Sequence, residues 1–131
     1  MQYIGHITLL VIDYDEAIEF FCGKLQFRLV EDKKMSDTKR WVLIAPPGST
    51  GTSVLLTKAI TDEQRNLVGK QTAGKVVMFL FTDNIMEDYS YLLTHGVEII
   101  EGPEVKPHGR VLIFADLYGN HYDLIEPTLN N

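Results

Sequence analysis

Basic charge, cysteine and long apolar runs are what this chain has least of. Its 12 Lys and Arg stand against 18 Asp and Glu, a formal net charge of −6. It therefore lacks the basic surface that draws nucleic acids and anionic membranes. A single cysteine, Cys22, cannot close an internal disulfide, which fits a reducing cytoplasm. No apolar run approaches the ~18–20 residues of a membrane span. The opening residues, Met1 to His6, are not a basic leader followed by an apolar core. With 131 residues, 45% hydrophobic and 23% charged, the composition excludes collagen-like, coiled-coil and disordered classes. It suits one cytoplasmic domain whose core needs no disulfide or metal staple.

What is present is a run of short strands and capped helices. Residues 4–12, IGHITLLVI, read as a strand with His6, Thr8 and Leu10 on one face and Ile7, Leu9 and Val11 on the other. Asp13 and Glu16 have capping-box spacing, and Ala17, Phe20, Phe21 and Leu25 follow at helical spacing over 14–25. Strands are expected at 27–31, 41–45 and 53–57, the last two separated by the Pro46–Gly51 loop. Thr61 and Gln64 open a helix over 61–68. A strand at 75–81 follows, then a helix started by Asn84 and Glu87 and ended by Gly96. Strands at 97–100, 110–115 and 121–125 complete the chain, with a turn over 102–109.

The order is β-α-β-β-β twice, and residues support a duplication. Gly5 and His6 match Gly74 and Lys75 at an offset of 69 (74 − 5), Arg40 and Ala45 match Arg110 and Ala115 at 70 (110 − 40), and Gly51 matches Gly119 at 68 (119 − 51). The expectation is one domain, 1–131, made of modules 3–58 and 73–127 joined by the helix at 61–68.

The first module carries His6, Asp13, Asp15, Ala17, Phe20, Phe21, Lys24, Leu25 and Phe27. The chain closes on Ala115, Asp116, Gly119, Asn120, Asp123, Leu124, Ile125, Glu126 and Pro127. In this order they resemble the vicinal oxygen chelate superfamily, which includes glyoxalase I, bleomycin and fosfomycin resistance proteins and extradiol dioxygenases. The resemblance runs from about Tyr3 to Pro127. It implies an α+β fold, two tandem βαβββ modules forming an open, cup-like mixed sheet around a small-molecule site, in a homodimer. Gln26 stands where such chains have a helix-ending glycine, so a non-glycine near αL, or a different turn, is expected there.

Metal-dependent members hold a divalent ion with His and Glu at positions that here are His6, Leu55, Lys75 and Asp123. Leu55 cannot ligate, and Lys75 brings a positive charge, whereas catalytic sites need about three protein ligands. No cofactor is therefore expected, with a divalent-metal lyase or dioxygenase using a rearranged set (His6, His121, Asp123) as the alternative reading. His121 is also well explained as a solvent-facing side chain.

In a metal-free site, His6, Lys75 and Asp123 are the candidate catalytic residues: an ion pair on the sheet floor does acid–base work if burial tunes it. A plain salt bridge and a core-edge histidine explain the same residues structurally. Phe79 with Phe81, and Arg110 with Phe114, offer aromatic walls for an apolar ligand, or ordinary packing. His108, in the segment Glu104–Gly109, and His121 complete the candidate ligand-binding set. Cys22 reads as packing. The partner expected is a small organic molecule.

Overall fold

The computed structural model describes residues 1–128; the last three residues of the expected domain lie outside them. The chain divides into two compact units, Met1–Gln71 and the segment from Thr72 on. Each carries its own four-stranded mixed sheet, so the fold is α+β as expected. No helix among the described residues is long and apolar enough to cross a membrane.

In the first unit, β1 (His6–Val11), β2 (Arg28–Lys34), β3 (Arg40–Ala45) and β4 (Ser53–Lys58) form a sheet of order β1-β4-β3-β2, with β1 parallel to β4. Helix α1 (Tyr14–Ile18) starts where expected, because Asp13 accepts a hydrogen bond from the Glu16 N–H at 2.9 Å. It then widens into a π-helical turn, Glu19–Lys24, in which Phe20 and Phe21 are both buried. Gln26 takes the left-handed φ of 61°, so the turn tolerates a non-glycine at modest cost. Leu9, Val11, Val42, Ile44 and Leu56 form the fully buried ladder, the alternation read from the sequence. Arg40 clamps the start of β3: its guanidinium meets Asp15 at 2.8 Å and Asp32 at 2.7 Å and lies 5.2 Å from the Tyr14 ring centre.

Helix α2 (Asp62–Leu67) has the expected cap, Thr61 accepting from Gln64 N–H, while the Gln64 side chain reaches one residue further back and accepts from Ile60 N–H. Beyond it Gln71 lies along the free edge of β1. Its carboxamide oxygen accepts from Leu10 N–H at 2.8 Å and its nitrogen donates to the Thr8 carbonyl at 3.0 Å. That is the bonding of one residue of a neighbouring strand, supplied by a side chain, and it covers an edge that would otherwise be open to pairing. Gln71→Ala is expected to lower stability by about 1–2 kcal/mol and to produce concentration-dependent self-association. Urea unfolding and light scattering check both; an unchanged midpoint with unchanged scattering would show the edge needs no cover.

In the second unit, β5 (Met78–Phe81), β6 (Ile99–Lys106), β7 (Gly109–Ala115) and β8 (His121–Pro127) form a sheet of order β5-β8-β7-β6, again with the outer pair β5–β8 parallel. Helix α3 (Ile85–Thr94) is capped by Asn84, and its first N–H, that of Ile85, donates to Glu126 at 3.0 Å. Leu112, Phe114, Tyr122 and Leu124 are buried, on the face toward α3.

Two expectations change here. The strand expected at 75–81 starts only at Met78, because Lys75 is held in a turn with Thr72, its N–H donating to the Thr72 carbonyl and its carbonyl accepting from the Thr72 hydroxyl. The turn expected over 102–109 is mostly strand, and only Pro107 and His108 make the hairpin.

The register also corrects the repeat. Thr8 faces Leu55 as Phe79 faces Asp123, an offset of 71 (79 − 8) in the first strand, matched by the caps Asp13 and Asn84 (84 − 13). His6 therefore corresponds to Val77, whose N–H reaches the His121 carbonyl, and not to Lys75.

Candidate functional site

Directly opposed residues on neighbouring strands share a face, so the register of the second sheet arranges its open face, away from α3, in rows. One row runs Phe79, Asp123, Ile113, Glu101 from β5 to β6; the next runs Phe81, Ile125, Val111, Glu104. Phe79 and Phe81 are 60% and 72% exposed. Two adjacent phenyl rings left in water on one sheet face are an informative departure from the usual burial of apolar groups.

Glu101 and Glu104 both reach this face because β6 bulges between them. Residues three apart in a regular strand point to opposite sides, but the register slips between Glu101 and Glu104 by one extra residue. Gly102 makes the bulge possible: its φ is 83°, and a Cβ there would lie 2.6 Å from the Val111 carbonyl oxygen. A Gly-Pro pair between strand-forming residues is a sequence signal for such a bulge. Gly109, after the hairpin, is equally constrained, because a Cβ would collide with the Glu126 carbonyl.

A cavity of about 250 Å³ lies against this face, walled by Glu101, Glu104, Lys106, His108, Ile113 and Asp123 among others. Lys106 pairs with Glu104 at 3.5 Å. The Asp123 Oδ1 is buried and has no hydrogen-bond partner among the described residues. Burial pushes the Asp123 carboxyl above its ordinary value, while the nearby positive charge of His108 and of Lys106 pulls it back; burial wins. The cavity thus holds one under-bonded carboxyl group, a lysine and a histidine at its hairpin end, and an aliphatic floor.

The structure brings some expected residues together and separates others. Asp123 and His108 line the same cavity, Phe79 lies directly opposite Asp123, and His121 lies on the same face two residues away, opposite Ala115. Lys75 is exposed and forms no ion pair with Asp123 among the described residues, since it precedes β5. Phe114 is on the other face, 2% exposed and stacked on Tyr122 with centroids 5.0 Å apart. Arg110, opposite Glu126, shares that face. His6 belongs to the first unit, its ring edge-on to Trp41 at 5.9 Å. There Leu55 replaces Asp123 and Thr8 replaces Phe79. Glu104 and Lys106 fall in the segment 102–109 that reads as a turn, and Glu101 stands just before it, so alternation alone places none of them on the cavity wall.

The corrected alignment bears on a metal. The four positions implied by the resemblance now hold His6, Leu55, Val77 and Asp123, and two aliphatic side chains offer no donor. No cluster of three His, Cys, Asp or Glu side chains suited to a metal occurs among the described residues. This donor set does not fit the divalent ion of the metal-dependent enzymes.

Comparison with known proteins agrees with this architecture. Residues 3–124 match the family described as Glyoxalase/Bleomycin resistance protein/Dioxygenase superfamily. A protein of Shewanella frigidimarina (strain NCIMB 400) is 44% identical over 126 residues, 95% of this chain and 93% of its own. Among solved structures, TnmS3, an antibiotic binding protein from Streptomyces sp. CB03234, is 26% identical, with a TM-score of 0.78 and 98% of each chain covered. A member of the glyoxalase/bleomycin resistance protein/dioxygenase superfamily from Sphaerobacter thermophilus DSM 20745 is 28% identical, with a TM-score of 0.74, covering 96% of this chain and 98% of its own. With nearly its whole length matched, the chain belongs to the glyoxalase/bleomycin resistance protein/dioxygenase superfamily.

Proposed function

We propose that this protein binds a small planar organic molecule on the open face of its second sheet, without the divalent metal of its enzymatic relatives, and acts as a cytoplasmic, homodimeric binding protein. The observation that carries this reading is the row Phe79–Asp123–Ile113, in which an exposed phenyl ring adjoins an under-bonded carboxyl group over an aliphatic floor. An apolar platform with few polar groups is the usual composition of a small-molecule site. The likeness to an antibiotic binding protein supports the same reading.

Calorimetric titration and thermal shift with coumarin, anthraquinone-2-sulfonate and bleomycin test it. At least one planar compound is expected to bind and raise the melting temperature. The double substitution of Phe79→Ala with Phe81→Ala, at exposed positions that leave the core intact, is expected to weaken that binding about tenfold or more. Absence of binding by all three, or binding indifferent to the phenyl rings, would overturn the reading.

A further inference from the structure

We propose that the cavity selects an uncharged planar hydroxyaromatic molecule, whose hydroxyl donates to Asp123 and whose carbonyl, at the opposite end, accepts from His108 or Lys106. The inference rests on the reading above and adds the ligand's chemical class.

Three features of the cavity lead to it. First, a buried acceptor without a donor costs free energy that a ligand hydroxyl can return, and Asp123 Oδ1 is such an acceptor. The terminal torsion of an aspartate is broad, so rotation about it brings this oxygen to the cavity that the side chain lines. Second, the donors stand at the other end. Lys106 lies opposite Gly109, four residues along β7 from Ile113, which faces Asp123. At ~3.4 Å per residue that is ~14 Å of backbone, which the reach of the Lys106 and His108 side chains shortens. A ligand joining both ends must be elongated, about a bicyclic ring system in length. Val111 and Ile113 lie between, and Phe79, opposite Asp123, and Phe81, opposite Ile125, continue the same face on β5. Third, the charges disfavour ions of either sign. Glu101, Glu104 and Asp123 oppose an anion, and the Lys106 ammonium opposes another ammonium group beside it. A neutral molecule with a donor at one end and an acceptor at the other meets neither penalty.

7-Hydroxycoumarin has this arrangement, and its fluorescence reports binding. At mildly acidic pH, where its hydroxyl keeps its proton, it is expected to bind about tenfold more tightly than 7-methoxycoumarin, which lacks the donor, and than 2-naphthol, which lacks the carbonyl. Asp123→Ala should abolish the preference over 7-methoxycoumarin while leaving the weaker binding that the phenyl rings provide. Lys106→Met combined with His108→Ala should abolish the preference over 2-naphthol. Equal binding of the three compounds, or a hydroxyl preference that survives Asp123→Ala, overturns the proposal and leaves the planar-ligand reading standing. No binding of any of them, together with none of coumarin, overturns both.

Discussion

Asp116→Ala is expected to lower the unfolding free energy by about 3–5 kcal/mol, a large share of the ~5–15 kcal/mol typical of a domain. Asp116 is 6% exposed and organises the turn into β8. Its Oδ1 accepts from the backbone N–H groups of Tyr118 at 2.9 Å and Asn120 at 3.0 Å. Its Oδ2 accepts from the Asn120 side-chain amide at 2.8 Å and the Tyr122 hydroxyl at 2.7 Å. Alanine leaves four donors without this partner, two of them on the buried side chains of Asn120 and Tyr122, where water does not replace the carboxylate. Tyr122→Phe removes a single bond and should cost only about 1 kcal/mol.

The same contact has a signature at alkaline pH. Burial and the Asp116 charge raise the Tyr122 hydroxyl well above its ordinary value of 10.0. Unfolded chains release that proton first, so the stability it contributes is full below pH 10.0 and is lost as pH rises toward the folded value. Tyr122→Phe should remove that part of the alkaline decline. Urea unfolding of the three chains at neutral and alkaline pH checks the set. An Asp116→Ala loss no larger than that of Tyr122→Phe would show that the turn is held by its backbone alone.

Why Asp116 was legible in the sequence while Glu101 and Glu104 were not is a matter of range. The caps at Asp13, Thr61 and Asn84 involve partners three or four residues away, and the ladder around Leu9 and Val11 follows from two-residue alternation. Such local rules survive folding, and with the motif residues they located the helix starts and the strand that carries Asp123. The site depended on longer-range facts. Whether Phe79 or Phe114 meets a ligand is set by the pairing of β5, β7 and β8, since a shift of one residue turns every side chain over. The repeat was misaligned by two residues at β5 because Gly74 and Lys75 imitate Gly5 and His6 in type, although the chain around Lys75 is a turn. That slip placed a lysine on the sheet floor where the register has Val77. The bulge at Gly102 was likewise invisible to alternation, and with it the whole β6 side of the cavity.

Asp123→Leu is expected to raise stability at neutral pH while removing the hydroxyl preference of the site. The first unit already shows the structural alternative: at the matching place in its register it has Leu55, facing Thr8 and Leu43 as Asp123 faces Phe79 and Ile113. A buried, unpaired carboxyl oxygen is a liability to the fold, and relieving it should gain about 1–2 kcal/mol, with the packing of the leucine added. Asp123→Asn isolates the charge. The folded chain holds the Asp123 proton to higher pH than the unfolded chain does, so wild-type stability is full below the ordinary value of 3.8 and falls as pH rises through the folded value. The gain from Asp123→Asn should thus be present at neutral pH and disappear below pH 3.8, whereas the leucine keeps its packing gain at both. Urea unfolding at the two pH values measures this, beside titration of each variant with 7-hydroxycoumarin and 7-methoxycoumarin. A destabilised Asp123→Leu would make the carboxyl a structural group of β8. A stabilised variant that has lost the preference would mean that the fold keeps an unfavourable carboxyl because the ligand needs it, as expected where stability and function compete for one position.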